Sequence, residues 1–456
     1  MKRVAITTLG CKTNQFESAA MILQLEAAGY SIVPFSEAAD IYIVNSCTVT
    51  SRTDAETRRL IRRARRLNPL SRIVATGCYA QVAQGDLEMM PELDIVLGNR
   101  EKLEISTLLE SNSSRVSDIS AGRKSEPLTL TSFAEHTRAF LQVQNGCNSF
   151  CTYCIVPFAR GPSQSVPLEE VLEGIRRLAD NGYKEVVLTG IHLGAYGLDL
   201  IHKTSLTDLI RKIDQEHLIP RLRIGSIEPN EVDDELLNLM AESKIICPHL
   251  HLPLQSGSDT VLKRMGRRYS SQFFRDLVEK IITALPDAFI GADLIAGFPG
   301  ESDADFEESV KLVEELPFSD LHIFPYSSRK GTKAADMTGH LPPDRIKERA
   351  AILRSVAERK KRAFLERMIG KKLDVLVQGY NSKTSICNGL SRNYCMVSFT
   401  GEESDKNQEL KVNIVGCNGD GCAGVRCINA GSVTSENRVT KPTPMLVAHP
   451  IEDIAP

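Results

Sequence analysis

Phe140-Leu141-Gln142-Val143-Gln144-Asn145-Gly146-Cys147-Asn148-Ser149-Phe150-Cys151-Thr152-Tyr153-Cys154 is a β-rich run that opens into a loop carrying three cysteines, separated by three and two residues. Three thiolates so spaced can wrap three corners of one [4Fe–4S] cube and leave the fourth iron without a protein ligand. An open iron can bind a small molecule, and S-adenosylmethionine can chelate it through its amino and carboxylate groups. An electron passed into that sulfonium splits a C–S bond and yields a 5′-deoxyadenosyl radical. Such a radical attacks C–H bonds that no side-chain base could deprotonate. Thiolate pairs at this spacing also suit tetrahedral Zn²⁺, a reading that needs a fourth ligand, and none is obvious nearby.

Working outward, β/α alternation follows this loop. Strands are expected at Phe140–Gln144, Glu185–Leu188, Leu222–Ser226, His249–Leu252, Phe289–Ile295 and Leu321–Phe324, with helices such as Leu168–Ala179 and Asp305–Glu315 between them. Six units are too few for a closed eightfold barrel, so an open, partial (β/α)6 barrel is expected, active at its strand C-termini. The Cys147 loop follows the first strand, as that rule requires.

Upstream, strands at Val4–Thr8, Ile41–Val44, Ile73–Ala75 and Ile95–Leu97 alternate with helices at Glu17–Ala28 and Asp54–Leu67, implying a doubly wound parallel sheet. Cys11, Cys47 and Cys78 each lie just past a strand. The carboxyl ends of such strands share one ligand-binding edge, where distant cysteines can converge. Downstream of a basic helix at Pro343–Met368, short strands at Lys372–Gln378, Asn393–Thr400 and Glu409–Ile414 suggest a small OB-like β-barrel. The expected division is an N-terminal domain 1–110, a polar linker 111–130, a core 131–366, a barrel 367–432 and a loosely ordered tail 433–456.

Composition sets the broad class. A chain of 456 residues, 42% apolar and 25% charged, has room for two or three domains. Twelve cysteines are too sparse for a disulfide scaffold, so a reducing compartment is expected. The N-terminus turns polar too soon for a signal peptide, and no run approaches the ~20 apolar residues of a membrane span, so a cytoplasmic location follows. A net charge of −3 gives no global attraction to nucleic acid. A local patch could supply it: Arg58-Arg59-Leu60-Ile61-Arg62-Arg63-Ala64-Arg65-Arg66 puts Arg58, Arg62, Arg65 and Arg66 near one helical face, where arginine forks suit RNA phosphates. A charge run is also what a solvated face looks like.

Taken together, the motifs resemble the methylthiotransferase family of radical-SAM enzymes over nearly the whole chain. They are Thr8-Leu9-Gly10-Cys11-Lys12-Thr13-Asn14-Gln15, Asn45-Ser46-Cys47-Thr48-Val49-Thr50, Thr76-Gly77-Cys78-Tyr79-Ala80-Gln81 and the Cys147 loop, in that order, with a terminal barrel similar to the family's TRAM domain. The Cys47 motif and Gly389-Leu390-Ser391-Arg392-Asn393-Tyr394 look most like the branch acting on N6-threonylcarbamoyladenosine beside the anticodon of tRNA.

The resemblance implies that Cys147, Cys151 and Cys154 hold the radical-generating cluster, and that Cys11, Cys47 and Cys78 hold a second [4Fe–4S] cube whose open iron can carry sulfur. Adenine C2 bears an unactivated hydrogen, so a radical must be made before sulfur can be placed there. Candidates for holding S-adenosylmethionine are Thr189, Gly190 and His192 after the second core strand, Glu228 after the third, Gln255 and Ser256 after the fourth, and Asp293 and Gly297 around the fifth. His249 and His251 share one strand face and are read as structural. Cys417, Cys422 and Cys427, like Cys247, Cys387 and Cys395, are read as incidental reduced thiols.

The implied partners are tRNA, an electron donor such as a flavodoxin or ferredoxin, and a sulfur source, with no membrane. Neighbouring readings are the branches acting on isopentenyladenosine in tRNA and on an aspartate of a ribosomal protein. A non-enzymatic iron–sulfur RNA-binding redox sensor would use the same cysteines but leaves the S-adenosylmethionine segments without a purpose.

Overall fold

The computed structural model describes residues 1–111, 113–120 and 137–427. Most of the expected linker and all of the expected tail lie outside the described residues. Residues 113–120 are held at a sheet edge, where Arg115 bridges Leu97 and the Ser117 amide donates to Glu101.

The N-terminal domain runs β1 (Arg3–Thr8), α1 (Lys12–Ala27), β2 (Ser31–Ile32), β3 (Ile41–Ser46), α2 (Ser51–Leu67), β4 (Arg72–Gly77), α3 (Cys78–Val82), α4 (Gln84–Glu88), β5 (Ile95–Val96) and α5 (Ile105–Ser111). Its strands are all parallel, in the order β2-β1-β3-β4-β5. Met21 and Leu25 of α1 and Leu108 and Leu109 of α5 pack with Val4, Ile41, Ile43 and Val74, whereas Leu60, Ile61 and Ala64 of α2 pack with Ala5, Tyr42, Val44 and Ala75. The sheet is therefore covered on both faces, as expected. The winding reverses between β1 and β3, the topological switch point at which such sheets bind ligands.

The core runs β6 (Arg138–Gln142), β7 (Gln144–Asn145), α6 (Val156–Arg160), β8 (Gln164–Ser165), α7 (Leu168–Asp180), β9 (Glu185–Thr189), α8 (Leu206–Gln215), β10 (Arg221–Ile224), α9 (Asp234–Glu242) and β11 (His249–His251). It continues through α10 (Asp259–Met265), α11 (Ser271–Ala284), β12 (Phe289–Ala296), α12 (Asp303–Glu315), β13 (Asp320–Pro325) and α13 (Pro343–Glu366). The six principal strands are parallel in two groups, β6-β9-β10 and β11-β12-β13, joined by the bridges Leu222↔Ile246 and Ser226↔His251. The result is the expected partial barrel, with a seam between its halves. Among the described residues no helix is long and apolar enough to cross a membrane.

The C-terminal barrel closes five strands, β14 (Lys372–Asn381), β15 (Ile386–Ser391), β16 (Met396–Thr400), β17 (Glu409–Asn418) and β18 (Gly421–Arg426), in the order β14-β15-β16-β18-β17. The sequence pattern announces three of them. Ile386–Ser391 and Gly421–Arg426 have too few β-branched or aromatic residues to stand out, and acquire strand structure from pairing with neighbours. The strand expected at Asn393 begins only at Met396, because Tyr394 sits in a turn at φ +65°.

This barrel seats against the amino-terminal ends of the core strands through a buried charge cluster. Glu185 Oε2 accepts from Arg221 Nε and Glu185 Oε1 from Arg223 Nε, both at 2.8 Å, and all three side chains are fully buried. The outer guanidinium nitrogens donate across the interface to Leu390 O, Ser391 O, Arg392 O and Glu409. Burial opposes ionisation of Glu185, but Arg223, Arg221 and Arg138 hold its carboxyl well below the usual range. A carboxylate whose pKa is depressed on folding contributes its stability above the unfolded value of about 4.3 and loses it as pH falls below that.

Glu185→Gln leaves two buried guanidinium groups short of a counter-ion, with an expected loss of about 3–5 kcal/mol. Urea unfolding followed by circular dichroism at pH 7 reads this as a lower midpoint; the difference from wild type narrows below pH 4.

Candidate active site

Cys11 N-caps α1, Cys47 follows β3 directly and Cys78 opens α3, so all three lie on the carboxyl edge at the switch point. Two glycines permit this convergence. Gly10 has φ +95°, and a Cβ there would lie 2.6 Å from the Cys47 Cβ; Gly77 has φ +93°, and its Cβ would lie 2.4 Å from Ser46 O. Asn14 Nδ2 ties the loops together by donating to Leu9 O (2.7 Å) and Ser46 O (3.1 Å). Burial foremost, with the neighbouring Cys78 sulfur, pushes the Cys47 thiol up to about 12, so binding a metal there must displace its proton.

Cys147, Cys151 and Cys154 occupy the loop between β7 and α6. The Ser149 amide donates to Cys147 Sγ (3.4 Å), and His192 Nδ1 lies 3.7 Å from it. Burial works against the Cys147 thiolate, but these hydrogen bonds outweigh it and lower the pKa. Burial likewise disfavours a charged His192, yet its bonds to Cys147 and to Glu231 (2.6 Å) raise it to about 10. Arg267 donates to Cys151 Sγ (3.4 Å) and pairs with Glu228. Burial pushes the Cys154 thiol up to about 12.

Among the described residues, the one trio of Cys, His, Asp or Glu ligand atoms lying within 4.8 Å of one another is His251–Asp293–His322. Both cysteine trios are therefore wider than the ~3.8 Å sulfur separation that Zn–S bonds of about 2.3 Å impose on a single tetrahedral ion. A cube, whose corners hold separate irons, accepts the wider spread. Cys417, Cys422 and Cys427 form no such trio either: Cys417 and Cys422 are cross-strand partners in β17 and β18, and Cys422 is buried in the barrel core.

A buried polar network joins the two cysteine loops. Arg160, at the end of α6, donates to Glu17 (2.8 Å) and to Asn14 in α1. Lys102 donates to the other Glu17 oxygen (2.5 Å) and to Asn99 Oδ1 (2.6 Å), while Asn99 Nδ2 donates to Ala159 O (2.6 Å) and contacts Cys78 Sγ (3.7 Å). One anion against two cations leaves this network positive behind the Cys11, Cys47 and Cys78 sulfurs.

A cavity opens between the Cys47 and Cys147 loops, lined by Val49 and Thr50 from the N-terminal domain and by Tyr153, Cys154, Gln255 and Asp293 from the core. Of the residues expected to hold S-adenosylmethionine, Gln255 and Asp293 line this cavity, and Thr189, His192 and Glu228 lie at strand ends near the Cys147 loop. The others make contacts within the scaffold. Gly190 lets Gln144 pack close, so that Gln144 Oε1 accepts from the Ile191 and His192 amides. Ser256 is turned into the core against Ser309 (3.2 Å), and Gly297 makes room for Ile346 of α13. Sequence spacing identifies a turn but not which way its side chains face.

The arginine helix is also reassigned in part. Arg65 is consumed by Pro69 O, Ser71 O, Glu92 O and Asp94, and Arg58 donates to Tyr79 Oη (2.6 Å). Arg62 and Arg66 are exposed, as are Arg52, Arg59 and Arg63. Residues that sequence reading passes over are Lys12, Glu17, Arg160, Lys102, Glu231, Arg267 and His322. Lys12, Glu17 and Arg160 flank cysteine motifs, a signal by which they could be found.

Comparison with known proteins adds an independent line. Residues 141–313 match the radical SAM superfamily, and residues 3–98 match the uncharacterized protein family UPF0004. The threonylcarbamoyladenosine tRNA methylthiotransferase MtaB of Bacillus subtilis is 38% identical over 425 residues, covering 91% of this chain and 94% of its own. Its counterpart in Aquifex aeolicus is 41% identical over 82% of this chain and 92% of its own. The tRNA-2-methylthio-N(6)-dimethylallyladenosine synthase of Caldicellulosiruptor saccharolyticus is 34% identical over 86% of this chain and 85% of its own. Among solved structures, the radical S-adenosylmethionine methyltransferase TsrM of Kitasatospora setae superposes with a TM-score of 0.50 at 16% identity, covering 74% and 75% of the two chains, a likeness of fold.

If each trio holds one cube, replacing Cys147, Cys151 and Cys154 by Ala in protein reconstituted with iron and sulfide leaves about one cube's worth of iron, roughly four atoms per chain. Replacing Cys11, Cys47 and Cys78 leaves the same amount, and only this second variant still cleaves S-adenosylmethionine to 5′-deoxyadenosine. Iron analysis and nucleoside chromatography check both; equal loss of cleavage in the two variants contradicts the division.

Proposed function

This chain belongs to the radical-SAM methylthiotransferase family, and we propose that it converts N6-threonylcarbamoyladenosine in tRNA to its 2-methylthio derivative. The observation that carries the reading is the pair of cysteine trios whose loops wall one cavity, together with relatives of that name at 38–41% identity over most of the chain. The family's cofactors are S-adenosylmethionine and a [4Fe–4S] cluster, which when bound supply the radical that activates an adenine C–H bond. In our reading Cys147, Cys151 and Cys154 hold that cluster, and Cys11, Cys47 and Cys78 hold a second that delivers sulfur.

The protein's own residues then have distinct tasks. Arg267 and His192 hydrogen-bond the sulfurs of the first trio, a placement that orients the ligands and offsets their charge. Glu17, Arg160, Lys102 and Asn99 keep the second trio in fixed relation to the first. Gln255, Asp293 and Tyr153 wall the space in which S-adenosylmethionine and the target base would meet. Because Arg58 and Arg65 are engaged internally, the RNA-facing stripe we propose is Arg52, Arg59, Arg63 and Arg66, with Arg62 beside it. A cytoplasmic location fits a tRNA substrate. A flavodoxin or ferredoxin as electron donor and a separate sulfur source complete the requirements of the chemistry.

Loss of the gene is expected to remove 2-methylthio-threonylcarbamoyladenosine from total tRNA and to leave 2-methylthio-isopentenyladenosine unchanged, as measured by nucleoside mass spectrometry. The reverse pattern overturns the substrate assignment. Neutralising Arg59, Arg63 and Arg66 is expected to flatten the salt dependence of tRNA binding by roughly 0.7 to 0.9 log units of slope for each phosphate no longer engaged. An unchanged slope in filter-binding titrations returns this helix to a solvated face.

A further inference from the structure

Lys12 is the first residue of α1 and the neighbour of Cys11, yet neither cysteine site uses its side chain. The ammonium leaves the N-terminal sheet and reaches the Tyr394 ring, with Nζ 6.0 Å from its centroid. Tyr394 is the residue that the C-terminal barrel inserts beneath the core strands: its ring lies 4.5 Å from that of His249, and the Arg223 guanidinium is 5.0 Å away on the same ring. Lys12 is close enough for its charge to bear on His249 and His322 alike. Its ammonium therefore lies over the Tyr394 ring, where the C-terminal barrel meets the core. Among the described residues no carboxylate or carbonyl pairs with it. The ammonium is half-buried, and its charge is free to meet an anion that enters the site.

The wall facing this space carries a second polar group. Asp293 Oδ1 accepts from His251 Nε2 (2.9 Å) and from His322 Nδ1 (3.1 Å), and the two rings stack at 5.1 Å. Asp293 also lines the cavity between the cysteine loops. With Nδ1 committed to Asp293, the remaining ring nitrogen of His322 is available to a ligand, and the side chain is 39% exposed. Both histidines bind the same Asp293 oxygen, Oδ1, and among the described residues Lys12 makes no ion pair with Asp293.

We propose that Lys12, assisted by His322, forms the subsite that receives the carboxylate of the threonylcarbamoyl group on the substrate adenine. This rests on the substrate reading above and deepens it. An ammonium offers three donors and a compact charge, and a carboxylate taken out of water requires such a partner. An apolar N6 substituent of similar size would leave the ammonium unpaired in a desolvated site, which is how a polar subsite rejects an isostere that lacks the group it binds. The same placement ties the Cys11 loop, the Tyr394 turn and the core lumen to one recognition task.

The test compares holoenzyme variants on two substrates: tRNA bearing threonylcarbamoyladenosine, and the same tRNA with that carboxylate converted to its methyl ester. Wild type is expected to prefer the free carboxylate by roughly 10²-fold in kcat/KM. Lys12→Met is expected to lose most of that preference while binding wild-type iron and cleaving S-adenosylmethionine at the wild-type rate without tRNA, and Lys12→Arg to retain it in large part. His322→Gln should weaken the preference less than Lys12→Met. An undiminished preference in Lys12→Met, or a loss of iron or of uncoupled cleavage in both Lys12 variants, overturns the subsite while leaving the substrate reading intact. Turnover by wild type of isopentenyladenosine tRNA in place of the threonylcarbamoyl form overturns both.

Discussion

Arg160 closes the loop that carries Cys147, Cys151 and Cys154, and its guanidinium enters the N-terminal domain to meet Glu17 and Asn14 on the helix that Cys11 caps. The relation between the two cysteine trios depends on this contact. Both partners are buried, and the pairing is reinforced by Lys102 on the far side of Glu17. A buried ion pair of this kind adds little net stability, because desolvation offsets most of the attraction, but it tolerates only one geometry. That property suits a site built from two separate loops.

The Asn14 amide extends the constraint to the N-terminal loops by binding Leu9 O and Ser46 O. Asn99 does the same for Cys78, because it bonds Lys102 through one end and reaches the sulfur and Ala159 O through the other. Arg329 and Asp54 add a further link across the cavity mouth, where Thr48 also accepts from Arg329. Few of these contacts are apolar. The domains are therefore registered by directional bonds, alongside an apolar contact in which Phe16 and Ala20 of α1 are buried in the hydrophobic cluster of the core.

A different device fixes the floor of the core. Glu185, Arg221 and Arg223 form a buried charge cluster that the C-terminal barrel completes through four backbone carbonyls and Glu409, and Tyr394 stands on this platform beside His249. The C-terminal barrel thus has a structural duty. Its Ser391–Tyr394 turn places the Tyr394 ring against His249 and beneath the Lys12 ammonium.

The amino-acid sequence by itself determined the chemistry of the ligands and the order of the elements. Cysteine spacing within one loop, the position of Cys11, Cys47 and Cys78 just past strands, and the β/α alternation are local properties, and local geometry carries them into the fold unchanged. Tertiary structure decided which polar groups face one another. Ser256 and Gly297 sit in turns of the expected kind but are directed at α12 and α13, and Arg65 is spent on carbonyls within its own domain. Ile386–Ser391 and Gly421–Arg426 became strands only when neighbours supplied their hydrogen bonds. Lys12, Tyr394 and His249 belong to three different domains, and no periodicity links them. They meet because a helix N-terminus, a barrel turn and a core strand cross at one point, a condition set by packing that no stretch of sequence records.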